Sequence, residues 1–106
     1  SMRSGTFTVP APVTNTAARY SVTSTDNYVI NNRAGTVTVT LPSASGVNNG
    51  RQITISTITA NTVVSASSNV VPQAGGAAGT AILAATAGKW ARLVADGTNW
   101  IIMESN

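Results

Sequence analysis

The stretches "TVTVTL" (residues 36–41) and "RQITIS" (residues 51–56) decide the fold. In the first, Val37, Val39 and Leu41 alternate strictly with Thr36, Thr38 and Thr40, the period-2 pattern of a strand with one wet face. The second repeats the pattern with Ile53 and Ile55 inward. Between them lies "PSASGVNNG", rich in turn-forming residues, so the pair predicts strand, loop, strand.

Working outward, "YSVTSTDNYVIN" predicts two short β segments around a turn at Thr25, Asp26 and Asn27, where an Asx side chain can bond nearby backbone amides. Downstream, "ANTVVSAS" and "NVVP" are further short strands, and no segment sustains an apolar period of 3.6. Residues 74–88 are rich in Ala, which favours helix, but Gly75, Gly76, Gly79 and Gly88 oppose it. That tract predicts a loop, a strand near Ala81 to Leu83, and a turn at Ala87 and Gly88.

The chain closes with "LVADGTNWIIMESN" (residues 93–106). A two-residue turn at Gly97 and Thr98 sets Ala95 opposite Trp100, Val94 opposite Ile101, Leu93 opposite Ile102 and Arg92 opposite Met103. One face then carries Ala91, Leu93, Ala95, Trp100 and Ile102, and the other Trp90, Arg92, Val94, Ile101 and Met103. Both faces are apolar. An antiparallel sheet in a small domain commonly keeps one face wet, so the second face calls for cover by a subunit, a neighbouring domain or a ligand.

The fold class expected is therefore all-β, a small antiparallel β-sandwich or jelly-roll-like domain. Residues 1–18 read as a tag remnant (Ser1, Met2) followed by an extended arm or linker with Pro10 and Pro12, and residues 19–106 as the sandwich module. In the arm, Phe7 and Val9 alternate with Thr6 and Thr8, a pattern open to two readings: an edge strand for this domain or a neighbour, or a connector to an upstream domain. The sequence reads as a piece of a longer protein, cut on its N-terminal side and kept to its natural end.

Composition narrows the chemistry. The 106 residues include 8% charged and 42% hydrophobic ones, with no Cys and no His. One domain of this size buries a modest core, and with disulfides excluded, association is the remaining means of adding burial. No apolar run approaches the roughly 20 residues that span a bilayer as a helix, so no membrane insertion is expected. The net charge of +3 comes from six scattered basic residues without a cluster, and nucleic acid is not an expected partner.

Without His or Cys, neither a Ser-His-Asp nor a Cys-His arrangement can form, and the commonest transition-metal ligands are missing. Asp26, Asp96 and Glu104 are the only acids, too few and too scattered for a calcium cage. Asp26 and Asp96 both sit in turn sequences where Asp has a backbone role. We therefore expect no catalytic residues, no metal and no cofactor.

Taken in order, "YSVTSTDNYVI", "TVTVTLPSASGVNNGRQITI", "NTVVSAS" and "LVADGTNWIIM" resemble the small β modules of bacteriophage and prophage tail fibres and tailspikes. The resemblance covers roughly residues 20–103. Its most specific parts are Thr40-Leu41-Pro42, Gly50-Arg51 before an Ile-rich strand, and Asp96-Gly97-Thr98-Asn99-Trp100. It implies a module in the C-terminal region of a virion's distal fibre or spike, forming a homotrimer and contributing to recognition of host bacterial surface polysaccharide. The alternative is a purely structural trimerisation cap with no ligand.

On this reading Trp90, Val94, Ile101 and Met103 are interface candidates. Trp90, Arg92, Asn48 and Asn49 are carbohydrate-binding candidates, Trp90 as a stacking platform and Arg92 as an attraction for acidic capsule sugars. Trp100, sharing a face with Leu93 and Ile102, is expected in the core. Tyr20 and Tyr28 are expected to pack as ordinary strand residues, and the loop Asn residues serve turns equally well.

Overall fold

Ten strands divide between two facing sheets in the computed structural model, which describes residues 11–106. They are β1 (Val13–Asn15), β2 (Arg19–Ser21), β3 (Tyr28–Asn31), β4 (Val37–Thr40), β5 (Gln52–Thr57), β6 (Val63–Ser65), β7 (Val70–Val71), β8 (Ala81–Leu83), β9 (Trp90–Ala95) and β10 (Trp100–Ser105). One sheet runs β1-β3-β5-β9-β10-β7 and the other β2-β4-β6-β8.

From β1 to β6 the chain steps from one sheet to the other at every strand. Consequently β1, β3 and β5 pair in parallel, as do β2, β4 and β6. Parallel neighbours need a crossover, usually a helix. Here a strand of the opposite sheet supplies it, so parallel pairs form with no α-helix among the described residues. After β6 antiparallel pairs predominate: β9 runs antiparallel to β5, β10 to β9, and β8 to β6, while β7 pairs in parallel with β10. The expected all-β sandwich is what forms. Its pairing is mixed, however, and the antiparallel arrangement expected from the sequence holds only in the second half. An alternating strand with one wet face looks the same in either direction, which is why the residues did not distinguish them.

The inner faces make a single core. Val29, Ile55 and Ala91 lie in one cross-strand row, and Ile53, Leu93 and Ile102 in the next. Val37, Val63 and Leu83 form the matching row of the four-stranded sheet. All are buried. Trp100 is fully buried, and its indole N–H donates to the Pro42 carbonyl at 2.8 Å, so the polar atom of the largest core side chain is satisfied. Because Pro42 follows β4, this bond also ties the two sheets together.

The strand expected near residues 81–83 is β8, and Gly88 takes the positive φ (88°) that its turn requires. The segment ahead of Arg19 contributes β1 as an edge strand, so the folded module reaches back at least to Val13. Phe7 and Val9 lie outside the described residues.

One buried row is polar. Asn15, Asn31 and Thr57 stand side by side on β1, β3 and β5. The Asn15 amide donates to Asn31 Oδ1 at 3.0 Å, and the Asn31 amide donates to the Ser56 carbonyl at 3.1 Å. Each rung is thereby pinned to the next in one register. Asn31 is 0% exposed, so replacing it with Ala removes in a buried place both the bond from Asn15 and the bond to the Ser56 carbonyl. We expect Asn31→Ala to cost about 2 kcal/mol, the penalty of buried unpaired polar groups. Urea unfolding checks this, and a midpoint equal to that of the unaltered protein would show that the ladder is dispensable.

Candidate functional site

The outer face of the six-stranded sheet gathers most of the residues singled out in the sequence. Strand register places them in rows. Ile30, Ser56 and Trp90 share one row; Tyr28, Thr54, Arg92 and Glu104 share the next; Gln52, Val94, Ile101 and Val71 share a third. Trp90, Arg92, Val94 and Ile101 are half-buried, while Tyr28 is 39% exposed.

The hairpin explains this placement. Its turn has Gly97 at φ 98°, and the Asp96 carboxylate accepts bonds from the Thr98 and Asn99 amides at 2.9 and 2.8 Å. These bonds, to Asn99 first and Thr98 second, hold the Asp96 carboxyl below its usual pKa. Trp100, Ile101 and Ile102 pair with Ala95, Val94 and Leu93 as expected. The expected Arg92 to Met103 pair does not form: the register shifts between Ile102 and Glu104, which sets Glu104 opposite Arg92. Met103 is the extra residue of this β-bulge, 49% exposed. The physical gain is an ion pair, Arg92 Nε to Glu104 Oε1 at 2.8 Å. Arg92 also donates from Nη1 to Gln52 Oε1 at 3.2 Å.

Trp90 sits where β9 begins, and its backbone N–H donates to Asn106 Oδ1 at 3.0 Å. Tyr28 is set in place from the other side. The Asn27 carbonyl accepts the Thr54 N–H at 3.0 Å, and Arg51 donates through Nη2 to the Thr23 carbonyl at 2.7 Å and to the Asp26 carbonyl. Asp26, 7% exposed, accepts the Tyr20 hydroxyl at 2.5 Å and the Thr23 N–H at 2.8 Å. Burial by itself would raise the Asp26 pKa, but these bonds and the nearby Arg51 charge outweigh it and hold the carboxyl below its usual value. Burial first, then the bond to Asp26 and the charge of Asp26, push the Tyr20 hydroxyl up to about 12.

Asn48 and Asn49 are not part of this surface. Gly50 N–H donates to the Ala95 carbonyl, and the Asn49 side chain lies beside Gly97. They therefore stand at the Ala95 end of β9, about 17 Å from Trp90 at the usual rise of a strand. Asn48 serves its own loop, donating to the Ser43 carbonyl at 2.9 Å and accepting from Arg51 at 3.3 Å. The residues that the sequence reading missed are Tyr28, Ile30, Thr54, Ser56 and Val71. Alternation in "RQITIS" was the available signal for Thr54 and Ser56; nothing in the sequence reported that β3 and β9 flank β5.

Each acid has a structural partner: Asp26 in its turn, Asp96 in the hairpin, Glu104 on Arg92. Among the described residues no group of three His, Cys, Asp or Glu side chains converges as metal ligands would. Comparison of the chain with family models, with characterised proteins and with solved structures found no match.

The Tyr20 and Asp26 shifts have opposite consequences. Tyr20 has a folded pKa above its unfolded value near 10, so its contribution is complete below pH 10 and is lost as pH rises toward 12. Asp26 has a depressed folded pKa, so its contribution is present above its ordinary 3.8 and is lost as pH falls below that. Spectrophotometric titration should show one tyrosine ionising near pH 12 that is absent from Tyr20→Phe. Asp26→Asn should cost about 1.5–3 kcal/mol at pH 7, the worth of bonds to a charged acceptor, with a flatter acid limb in the pH profile of stability. An unchanged acid limb would separate Asp26 from the acid response.

Proposed function

We propose that the chain is a module of a bacteriophage tail fibre or tailspike that assembles as a homotrimer and contributes to recognition of host surface polysaccharide. The observation that carries this reading is the outer face of the six-stranded sheet, which divides in two. Toward the hairpin turn, Val94, Ile101 and Val71 make a continuous apolar row across β9, β10 and β7. Away from it, Tyr28 and Trp90 stand among Thr54, Ser56 and Arg92.

The two halves suit two tasks. An apolar row on an outer sheet face gains free energy when a second copy covers it, at roughly 25 cal/mol per Å² of apolar area removed from water. An aromatic and hydroxyl-lined half suits a sugar, whose rings offer apolar C–H faces and many hydroxyls. The number three and the polysaccharide come from the resemblance to fibre modules alone; the division of the face supports association and a separate binding surface. The role is binding and assembly rather than catalysis, in keeping with acids that are each committed to structural bonds.

Light scattering on the purified domain should give three times the 10.7 kDa chain mass. Val94→Asp and Ile101→Asp should each shift it to monomer, because a carboxylate desolvated in an apolar interface has no partner. Met103→Asp, at the exposed bulge, should weaken assembly less. A monomer at concentrations of about tens of micromolar would overturn the assembly reading, and variants that remain trimeric with unchanged stability would move the interface to another face.

A further inference from the structure

Resting on that recognition reading, we propose that β5 is the floor of a trough on the outer sheet face that takes a neutral polysaccharide chain lying along the strand. The trough follows from side-chain size. The outward residues Thr54 and Ser56 are small and hydroxylated, whereas the two flanking strands carry Tyr28 and Ile30 on one side and Trp90 and Arg92 on the other. Small residues between two walls of large ones leave a channel, and both floor residues are only half-buried.

The rings stand at opposite corners of it. Tyr28 shares a row with Thr54 and Trp90 with Ser56, two residues further along and two strands across, a separation of about 12 Å at ordinary sheet spacings. That arrangement offers one platform to each of two sugar units set apart along a chain, with hydroxyl donors and acceptors between them. Extended polymers are the ligand form that uses the length of β5.

Charge selects the class of sugar. Among the outward residues of β3, β5, β9 and β10 that have register partners, only Arg92 and Glu104 are charged, and they pair at 2.8 Å. Gln52 occupies a further donor of Arg92. Those residues therefore carry no uncompensated charge, and the Lys89 ammonium at the Trp90 end donates to the Asn106 carbonyl at 2.8 Å, so an acidic sugar on the β5 floor would have to draw Arg92 away from Glu104 to gain an ion pair there. This reverses the expectation, drawn from Arg92 alone, of attraction for acidic capsules. The same pair orients the guanidinium toward Glu104, and a guanidinium has further N–H donors of the kind that neutral hydroxyls accept.

The test is a panel of purified capsular and O-antigen polysaccharides, some neutral and some carrying uronic acids, titrated against the assembled protein. Binders should come from the neutral group, with affinity unchanged between about 0.05 and 0.5 M salt. Tyr28→Ala and Trp90→Ala, checked for unchanged assembly by light scattering, should each weaken binding about tenfold, the worth of one stacked ring. Glu104→Gln should create salt-sensitive binding of the uronic acid polymers by releasing Arg92. Selective, ring-dependent binding of acidic polymers by the unaltered protein would overturn the neutral assignment and leave the recognition reading standing. Binding indifferent to both rings would overturn the trough and leave recognition standing, whereas binding of no polysaccharide would overturn both.

Discussion

β5 accepts a parallel neighbour along one edge and an antiparallel neighbour along the other, and the placement of the remaining strands follows from that. On the β3 side its backbone completes a run of parallel rungs in which each crossover is a strand of the opposite sheet. On the β9 side it starts the antiparallel run that the hairpin continues, and β7 then joins β10 in parallel at the far edge. A backbone whose donors and acceptors must all find partners has few ways to join two such halves. A central strand satisfied on both edges is one that needs no helix and no disulfide.

Side chains reinforce the join at two depths. Inside, the Asn15, Asn31 and Thr57 row locks rungs against slipping, because a shift by one residue would send every buried side chain to the wet face. At the loop end, Arg51 holds the Thr23 and Asp26 carbonyls while Asp26 holds Tyr20, so the turn that launches β3 is clamped to the start of β5. The outward position of Tyr28 is thus set by a polar cluster several residues away. The outer sheet surface thus owes the placement of one of its rings to groups that lie away from it.

Local pattern made much of this legible. Alternation located β4 and β5, the turn chemistry of Asp96 and Gly97 gave three of the hairpin's register pairs, and the glycines of residues 74–88 argued correctly against helix. Trp100 was placed in the core by the company it keeps on its face. What remained hidden was non-local. Parallel pairing depends on which strand returns beside which, and a two-sided alternation carries no sign of direction. Asn15 and Asn31 look like turn residues because the bond between them spans sixteen positions. Glu104 stands opposite Arg92 in the place expected of Met103, at a bulge that brings the two charges together, and a bulge has no composition of its own. Asn48 was a plausible ligand residue by type alone; its amide is consumed by its loop.

The two-edged position of β5 also has a consequence during synthesis. Its first edge can be occupied as soon as the chain has left the ribosome, since β3 precedes it. Its second must wait for β9, with Gln52 and Arg92 forty positions apart. At translation speeds of about 5–20 residues per second, that leaves an unpaired apolar strand edge open for roughly 2–8 s on every nascent chain. On a polysome, where sister chains emerge close together, that interval favours pairing between neighbours. A protein whose copies are meant to associate can turn such proximity to use, whereas a solitary one would have to guard against it.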